Sequence, residues 1–226
     1  MDDIFERSKG LLTQESFNKL KDKHISVIGL GGVGGTALES LARTGIENFI
    51  IIDFDKVDAS NLNRQILYGF EDIGKEKVEV AKEHLLKINP NIKISAISNK
   101  IDAKVGNLLN KYKIDFIVDA IDDVNGKVWI AKYALENKIP FIMSLGMANR
   151  FDPSKVYITR LDKTTNDPLA RKLRYEIRKH GLDTKEVKCV ASSEQPISNG
   201  TKLNSLMQVP SSCGLNISCF VIEYFK

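Results

Sequence analysis

A glycine motif near the N-terminus constrains the fold of this chain more than any other feature. The motif, GLGGVG at residues 29–34, lies between an apolar run at 25–28 and a helical pattern. A strand, such glycines and a helix together allow a tight turn and bring free backbone N–H groups close to a phosphate. Asp53 ends the next apolar run about 20 residues later, where a carboxylate can accept hydrogen bonds from a ribose. The sequence predicts a nucleotide site at Gly29, Gly31, Gly32 and Gly34, although glycines can also serve strand–helix packing alone.

Short apolar runs alternate with helical patterns through the first two thirds of the chain. Continuous apolar runs bounded by turn residues are typical of strands in a parallel sheet that is covered on both faces. The alternation predicts an α/β fold with a Rossmann-like, doubly wound and mostly parallel sheet. The predicted strands are 25–28, 48–53, 92–98, 115–119 and 139–145, and the predicted helices are 33–43, 75–88, 103–111 and 124–137.

The two ends of the chain depart from this alternation. The first 24 residues predict one short amphipathic helix, with apolar positions at Leu11, Leu12, Phe17 and Leu20. After residue 153 we expect a strand at 155–160, a basic helix at 168–180, a strand at 187–192, a surface loop at 194–204 and an apolar helix at 210–225. Without a repeat or a linker, we predict one domain over 1–226, made of the N-terminal helix 1–24, a nucleotide-binding core 25–150 and a C-terminal antiparallel elaboration 151–226 that binds the substrate.

Composition narrows the class of protein. Of 226 residues, 42% are hydrophobic and 27% are charged, which allows a sizeable core and excludes wholesale disorder. No apolar run approaches the length needed to span a bilayer, and the charged N-terminus lacks the apolar segment of a secretory signal. Cys189, Cys213 and Cys219 form no CxxC pair, so we expect no disulfide scaffold, no four-cysteine zinc site, and a reduced, cytoplasmic setting. We expect Cys213 and Cys219 in the core.

The residues after the glycine motif favour a triphosphate over a nicotinamide. The segment after Asp53 is polar and contains Arg64, and Lys75 and Lys77 follow it, whereas a hydride-transfer site needs an apolar slot. Asp122 and Asp123 follow the strand predicted at 115–119, at the edge where ligands bind in open α/β folds, and a carboxylate there can hold Mg²⁺ against phosphates. One of the two is alternatively the N-cap of the next helix, and Arg64 and Lys77 are alternatively ordinary surface charges.

Taken together, these motifs resemble the E1-like adenylating enzymes, which include ubiquitin-activating enzymes and activators of sulfur-carrier proteins. The resemblance rests on GxGGVG, DxDxVxxSNLNRQ, GKxK and DAIDD, and covers residues 5–150. It implies ATP and Mg²⁺ as cofactors, attack of a carboxylate on the α-phosphate, and an acyl-adenylate. By matched position it implies a nucleotide site at Gly29, Gly31, Gly32, Gly34, Asp53, Asp55, Asn61, Arg64, Lys77 and Asp122, with Asp122 on the metal.

Catalytic roles also follow from this resemblance. Arg64, Lys77 and Asp122 are the catalytic residues that it implies. Members of the family are homodimers in which an N-terminal arginine reaches the nucleotide of the partner, and Arg7 is the candidate here. Its alternative is a plain surface arginine.

The second half of the chain resembles the tRNA threonylcarbamoyladenosine dehydratase branch of the family. It lacks the CxxC pairs that are usual in sulfur-carrier activators, and it contains TTNDPLARKLR at 164–174 and SSEQP at 192–196. The resemblance implies that the threonyl carboxylate of N6-threonylcarbamoyladenosine in tRNA is adenylated and cyclised with loss of AMP. It implies a tRNA partner and leaves a sulfur-transfer or redox partner open.

The basic helix predicted at 168–180 supports an RNA partner independently. Residues 168–188 contain seven Lys and Arg against three Asp and Glu, which is the whole net charge of +4. Positive side chains in a row can follow an RNA backbone, although a solvated helix face is the plainer alternative. The predicted tRNA-binding residues are Arg171, Lys172, Arg174, Arg178 and Lys179.

Two other functions compete with this interpretation. An E1-like adenylyltransferase that activates the C-terminus of a ubiquitin-like sulfur carrier would usually need a reactive cysteine, and Cys189, near Lys185 and Lys188, is the candidate. We favour a buried Cys189, because an intramolecular cyclisation needs no thioester. A non-catalytic nucleotide-binding scaffold is the third possibility, and it would not need Arg64, Lys77 and Asp122.

Overall fold

The computed structural model describes residues 3–197 and 203–226. Its centre is a seven-stranded sheet in the order β3-β2-β1-β4-β5-β7-β6. All neighbouring strands are parallel except β6 and β7, which are antiparallel. The strands are β1 His24–Ile28, β2 Asn48–Ile52, β3 Lys93–Ile97, β4 Phe116–Asp119, β5 Phe141–Ser144, β6 Val156–Arg160 and β7 Lys188–Ser192. The predicted α/β fold and its antiparallel C-terminal elaboration are confirmed.

Helices cover both faces of the sheet and enclose two separate apolar clusters. In β1, Ile25 and Val27 point to one cluster and Ile28 points to the other, as strand geometry requires. One face is covered by α3 Gly32–Thr44, α4 Lys77–Ile88 and α8 Gln208–Phe225, and the other face by α5 Ala103–Leu109, α6 Val124–Glu136 and α7 Pro168–Lys179. Because helices cover both faces of the sheet, side chains on both faces of the parallel strands are buried, and the strand sequences are continuous apolar runs.

The helix starts follow local capping chemistry. The carboxylate of Asp123 accepts a hydrogen bond from the Gly126 N–H and caps α6, and Asp167 caps α7 through the Ala170 N–H. Pro168 occupies the first turn of α7, where a missing N–H costs nothing. These caps fix the first turns of α6 and α7, and Asp167 also accepts the Gly146 N–H that follows β5.

The single helix predicted for the first 24 residues is wrong. The chain forms two short helices, α1 Glu6–Leu11 and α2 Gln14–Lys21. Thr13 has an extended backbone and its side chain accepts a hydrogen bond from the Ser16 N–H, so it starts a new helix. Leu11 is consequently 87% exposed, while Leu12, Phe17 and Leu20 are buried.

The C-terminal third closes one side of the molecule. α8 lies along α3, where Ser218 bonds Ser40 and Ser211 bonds Thr36. Cys213 is buried in this contact, whereas Cys219 is exposed, so the expectation that both lie in the core is wrong for Cys219. Of the surface loop predicted at 194–204, residues 198–202 lie outside the described residues. Within the described ranges, no helix is both long and apolar enough to cross a membrane.

Candidate functional site

A cavity of about 450 Å³ opens at the carboxyl ends of β1, β2 and β4. It lies where the strand order reverses between β1 and β4, which is the usual ligand position in open α/β sheets. Nine of the ten residues predicted for the nucleotide site line it, namely Gly29, Gly31, Gly32, Asp53, Asp55, Asn61, Arg64, Lys77 and Asp122. The topology therefore brings residues from distant parts of the sequence into one place.

The glycines of the motif have different tasks. Gly29 has φ of +89°, and a Cβ there would lie 2.8 Å from the carbonyl carbon of Ala120. A Cβ on Gly34 would overlap the carbonyl oxygen of Gly29. At Gly31 the nearest atom to a Cβ would be 3.8 Å away. Gly29 and Gly34 thus permit the turn and its packing, with Gly34 outside the cavity lining, and Gly31 leaves the backbone open to a ligand.

Asp53 organises the turn that follows β1. Its carboxylate accepts the Leu30 N–H at 2.6 Å and the Asp55 N–H at 2.8 Å. Burial raises the pKa of Asp53 above its ordinary value, and Lys77 and the two N–H groups oppose that rise. Each carboxylate oxygen keeps a lone pair, so Asp53 can hold the glycine turn and still accept a hydrogen bond from a ligand.

Lys77 begins α4 and lies almost completely buried at the wall of the cavity. Its Nζ is 2.9 Å from Oδ2 of Asp55, whose side chain is half-exposed. The backbone N–H of Lys77 also donates to the Asp55 carbonyl, so both residues are held in place. An anionic ligand in the cavity would compete with Asp55 for the ammonium group.

Arg64 and Asn61 come from the polar loop between β2 and α4. The Arg64 Nη1 donates to the Ser60 carbonyl at 2.7 Å and to Oδ1 of Asn63 at 2.9 Å. Its other N–H groups have no partner in the described ranges 3–197 and 203–226. Asn61 is buried, and its Oδ1 accepts the Asp58 N–H at 3.2 Å in a capping box. The loop thus presents an oriented guanidinium to the cavity.

Asp122 and Asp123 have separate roles after β4. Asp123 accepts the Gly126 N–H at 2.6 Å and caps α6. Asp122 is exposed at the cavity, and no described residue forms a hydrogen bond or ion pair with it. One free carboxylate suits Mg²⁺, which is usually held by one or two carboxylates together with the phosphates of a substrate. Among the described residues no group of three acidic, His or Cys side chains forms a complete metal site, so phosphate oxygens and water would have to supply the other ligands.

Several lining residues were not predicted from the sequence. Phe54, Gln65, Asn99, Lys100 and Ile101 also face the cavity, and Lys100 Nζ lies 5.9 Å from the centre of the Phe54 ring. Residues 99–101 directly follow β3, so their position after a parallel strand was an available signal.

The predicted basic helix is present as α7, and it has one apolar and one charged face. Leu173 and Ile177 are buried, while Arg171, Lys172, Arg178 and Lys179 are exposed. Arg174 differs from the free cation that the pattern indicated. It is half-buried, and its Nη1 donates to the Thr164 carbonyl at 3.0 Å and bonds the Thr164 hydroxyl. Arg174 therefore holds the segment before α7, because a guanidinium can satisfy several carbonyl-type acceptors at once.

A family comparison decides the class of the chain. Residues 6–174, three quarters of its length, match the ThiF family. This chain belongs to the ThiF family. The match begins at α1 and ends within α7, so it includes every residue that lines the cavity.

Relatives and solved structures refine this assignment. Within the ThiF family, the chain is 34% identical over 193 residues to a tRNA threonylcarbamoyladenosine dehydratase of Bacillus subtilis (strain 168), covering 85% of this chain and 76% of the relative. It is 35% identical over 200 residues to the Escherichia coli (strain K12) enzyme of that name, covering 84% and 75%. The crystal structure of E. coli tRNA N6-threonylcarbamoyladenosine dehydratase in complex with ATP superposes with a TM-score of 0.93 at 31% identity, covering 98% of this chain and 93% of that one.

A second class of relative matches less of this ThiF-family chain. The molybdopterin-synthase adenylyltransferase of E. coli (strain K12) is 35% identical over 124 residues, covering 54% of this chain and 49% of the relative. The extra coverage by the dehydratases extends the match into the C-terminal third.

Two candidate residues of this ThiF-family chain lie away from the cavity. Arg7 is exposed on α1 and is not among the lining residues. Cys189 is buried in β7, and its Sγ contacts the Thr159 carbonyl at 3.7 Å. Burial raises the pKa of the Cys189 thiol to about 12, so it is not a thiolate at neutral pH. The favoured interpretation of Cys189 as a buried strand residue is therefore correct.

Proposed function

We propose that this chain is an ATP-dependent tRNA threonylcarbamoyladenosine dehydratase. It adenylates the threonyl carboxylate of N6-threonylcarbamoyladenosine in tRNA and closes it into a ring with release of AMP. The observation that carries the proposal is the match over 98% of the chain to an ATP-bound dehydratase of that name. The cavity adds independent support, because it combines an open phosphate loop with Arg64, Lys77 and a free Asp122.

The charges of the cavity suit attack on a triphosphate. A carboxylate oxygen attacks the α-phosphorus, the bond to the β-phosphate oxygen breaks, and pyrophosphate leaves. Arg64 and Lys77 offset the repulsion between carboxylate and phosphates and stabilise the charge that builds on pyrophosphate. Asp122 would hold Mg²⁺, which would supply further positive charge for that step. The Lys77 ammonium group breaks its ion pair with Asp55 when it binds the phosphates.

Ring closure needs no side-chain nucleophile. An atom of the substrate's own carbamoyl group attacks the activated carbonyl carbon, the bond from that carbon to the AMP oxygen breaks, and the carbamoyl group gives up one proton as AMP leaves. Both reacting groups belong to one bound molecule, so proximity replaces a covalent enzyme intermediate. The buried Cys189 agrees with this route and does not favour the carrier-activating alternative. A tRNA substrate and three free cysteines are consistent with a reducing, cytoplasmic setting.

The proposal is tested by mass spectrometry of nucleosides. Unfractionated tRNA that contains threonylcarbamoyladenosine is incubated with the protein, ATP and Mg²⁺, then digested to nucleosides. We expect a product lighter than threonylcarbamoyladenosine by one water and formation of AMP, and neither with the Arg64→Ala variant. An unchanged nucleoside, together with ATP–pyrophosphate exchange on adding a sulfur-carrier protein, would favour the adenylyltransferase instead.

A homodimer would complete the site with Arg7. Exposed Ile66, Phe70 and Ile73 form an apolar cluster in sequence, in the loop that carries Arg64, and large exposed apolar side chains are often part of an interface. We propose that a second copy covers this cluster and that Arg7 of one subunit reaches the nucleotide of the other. In a twofold dimer each subunit would then both give and receive an arginine.

Subunit mixing tests this arrangement. Arg7→Ala and Arg64→Ala variants are each expected to be inactive as homodimers. Refolding them together should restore about a quarter of wild-type activity, because half of the dimers are mixed and each has one complete site. No recovery in verified mixed dimers would mean that Arg7 does not act across the interface.

A further inference from the structure

Tyr175 projects from the charged face of α7 without a structural role. Its side chain is 65% exposed, and within the described ranges its ring contacts no other aromatic ring and its hydroxyl has no hydrogen-bond partner. Other tyrosines are used by the fold. Tyr68 donates to the Leu30 carbonyl, and Tyr133 stacks on Trp129 at 5.1 Å between ring centres. An exposed ring that makes no such contact with the described residues calls for a binding explanation.

The ring lies among cations in one surface groove of about 520 Å³. Arg171 precedes Tyr175 by one helical turn, and Arg178 and Lys179 follow it by one turn, so all four share a face. Arg174 lines the same groove and is held by Thr164, which gives the groove a fixed wall. Lys172 lies outside the groove.

The side chains that line this groove indicate which class of ligand it binds. An anion alone would not need an aromatic ring, and an apolar peptide would be disfavoured by four cations. Single-stranded nucleic acid offers a phosphate backbone for the cations and the π-face of a base for the ring. A flat, exposed tyrosine between arginines is therefore suited to an unpaired base that has phosphates on both sides.

The helix that carries the groove starts at the edge of the sheet that holds the nucleotide cavity. α7 begins at Asp167, whose Oδ2 accepts the Gly146 N–H at 2.9 Å, and Gly146 follows the carboxyl end of β5. Tyr175 lies eight residues along the helix, about 12 Å from its start at 1.5 Å per residue. A strand whose modified base enters the cavity edge can thus continue along α7.

We propose that Tyr175 stacks on an unpaired base next to the modified nucleotide, while Arg171, Arg178 and Lys179 bind the adjoining phosphates. This inference rests on the proposed function and adds a specificity-determining residue to it. Tyr175 recognises the open conformation of the loop, because a base paired within a duplex cannot present its face to the ring.

Binding of a labelled anticodon stem-loop tests the stacking. The RNA carries threonylcarbamoyladenosine and has 2-aminopurine at one loop position at a time. With the wild type we expect quenched fluorescence at one position, and with Tyr175→Ala we expect recovery of that fluorescence and roughly five- to hundredfold weaker binding. Tyr175→Phe should keep both, because it keeps the ring. Leu215→Ala, at an exposed apolar side chain of α8 on the opposite face of the sheet, is the control.

The salt dependence separates the ring from the cations. Tyr175→Ala should leave the slope of log affinity against log salt unchanged. Arg171→Gln with Arg178→Gln should reduce that slope by about 1.4, at about 0.7 per phosphate contact on a single strand. Normal RNA binding by Tyr175→Ala, or failure of Tyr175→Phe to bind, would overturn the stacking proposal and would leave an acidic protein as the candidate partner for the groove.

The two proposals fail in different ways. In steady-state dehydration, Tyr175→Ala should raise the KM for tRNA and keep kcat and ATP binding at wild-type values. If the wild type dehydrates tRNA but Tyr175→Ala has an unchanged KM, the stacking proposal alone is wrong. If the wild type does not dehydrate tRNA at all, the proposed function is wrong. In that case the 2-aminopurine fluorescence still shows whether an RNA base stacks on Tyr175.

Discussion

The Nζ of Lys127 lies 2.9 Å from Oδ1 of Asp119, and neither side chain has any exposed surface. Asp119 ends β4 and Lys127 lies in α6, so the pair ties together the two ends of the segment that contains Asp122. The same Oδ1 accepts the Ile121 N–H at 3.2 Å, while Oδ2 has no partner among the described residues. A buried pair beneath the cavity thus holds the carboxylate that faces the nucleotide.

Removing the cation of this pair should destabilise the fold. In Lys127→Met, Asp119 loses its buried counter-ion and must either stay charged in the core or take up a proton on folding, so we expect a loss of about 3–5 kcal/mol in the free energy of unfolding at neutral pH. Urea denaturation followed by circular dichroism measures it. The double variant Lys127→Met with Asp119→Leu should recover most of the loss. A single variant as stable as the wild type would contradict the role of the pair.

The same variant should show a pH dependence of known sign. Burial raises the pKa of Asp119 above its value in the unfolded chain, and Lys127 opposes that rise. Without Lys127 the folded-state pKa rises further, so folding takes up a proton at neutral pH. The stability deficit of Lys127→Met should therefore narrow as the pH falls from about 7 towards about 4, the ordinary pKa of Asp. A deficit that is constant over this range would exclude Asp119 as its source.

Adjacent glycines provide a matched test of the phosphate turn. Gly34→Ala should abolish ATP binding and destabilise the protein by about 1–3 kcal/mol, because its Cβ would overlap the Gly29 carbonyl. Gly35→Ala should cost less than Gly34→Ala and keep ATP binding, since its Cβ would meet the Leu67 side chain at 3.2 Å rather than the backbone, and alanine favours the helix. Calorimetric titration with ATP and thermal denaturation measure the two effects. Equal effects of the two variants would argue against this packing role of Gly34.

Neighbouring aspartates separate chemistry from capping. Asp122→Asn should reduce ATP cleavage roughly a hundred- to thousandfold, because it removes the free carboxylate of the cavity. Asp123→Asn should cleave ATP and fold almost normally, since asparagine is as good an N-cap as aspartate. Single-turnover release of pyrophosphate, with melting temperatures as the check on folding, compares them. The assignment of the carboxylates would be reversed if Asp123→Asn were the inactive variant.

The cysteines should react in the order of their exposure. Iodoacetamide is expected to modify Cys219 in the folded protein and to spare Cys189 and Cys213, whose thiols are buried with raised pKa values. Peptide mass spectrometry identifies the modified residue. Cys189→Ala should keep dehydratase activity, and a covalent adduct between Cys189 and the threonyl group would contradict the proposed ring closure.

The core of the fold and most of the candidate site were predictable from the sequence. Apolar runs at regular spacing specify buried parallel strands, and glycines followed by an acid specify the turn that joins β1 to α3. Predictions from local sequence patterns were wrong where a single side-chain contact determines the local structure. Thr13 divides the N-terminal helix by capping, and Arg174 is drawn back to Thr164 although its spacing matches that of the exposed cations.

By itself, the sequence determined the order of strands and helices, the nucleotide turn and the chemical types of residue around it, because these depend on local periodicity and backbone geometry. Only the tertiary structure decided which residues meet. It paired Lys127 with Asp119, gave Asp122 and Asp123 different roles, buried Cys189, and left Tyr175 exposed among cations. Pairing, burial and exposure depend on contacts between elements that are distant in sequence, and periodicity along one element does not specify those contacts.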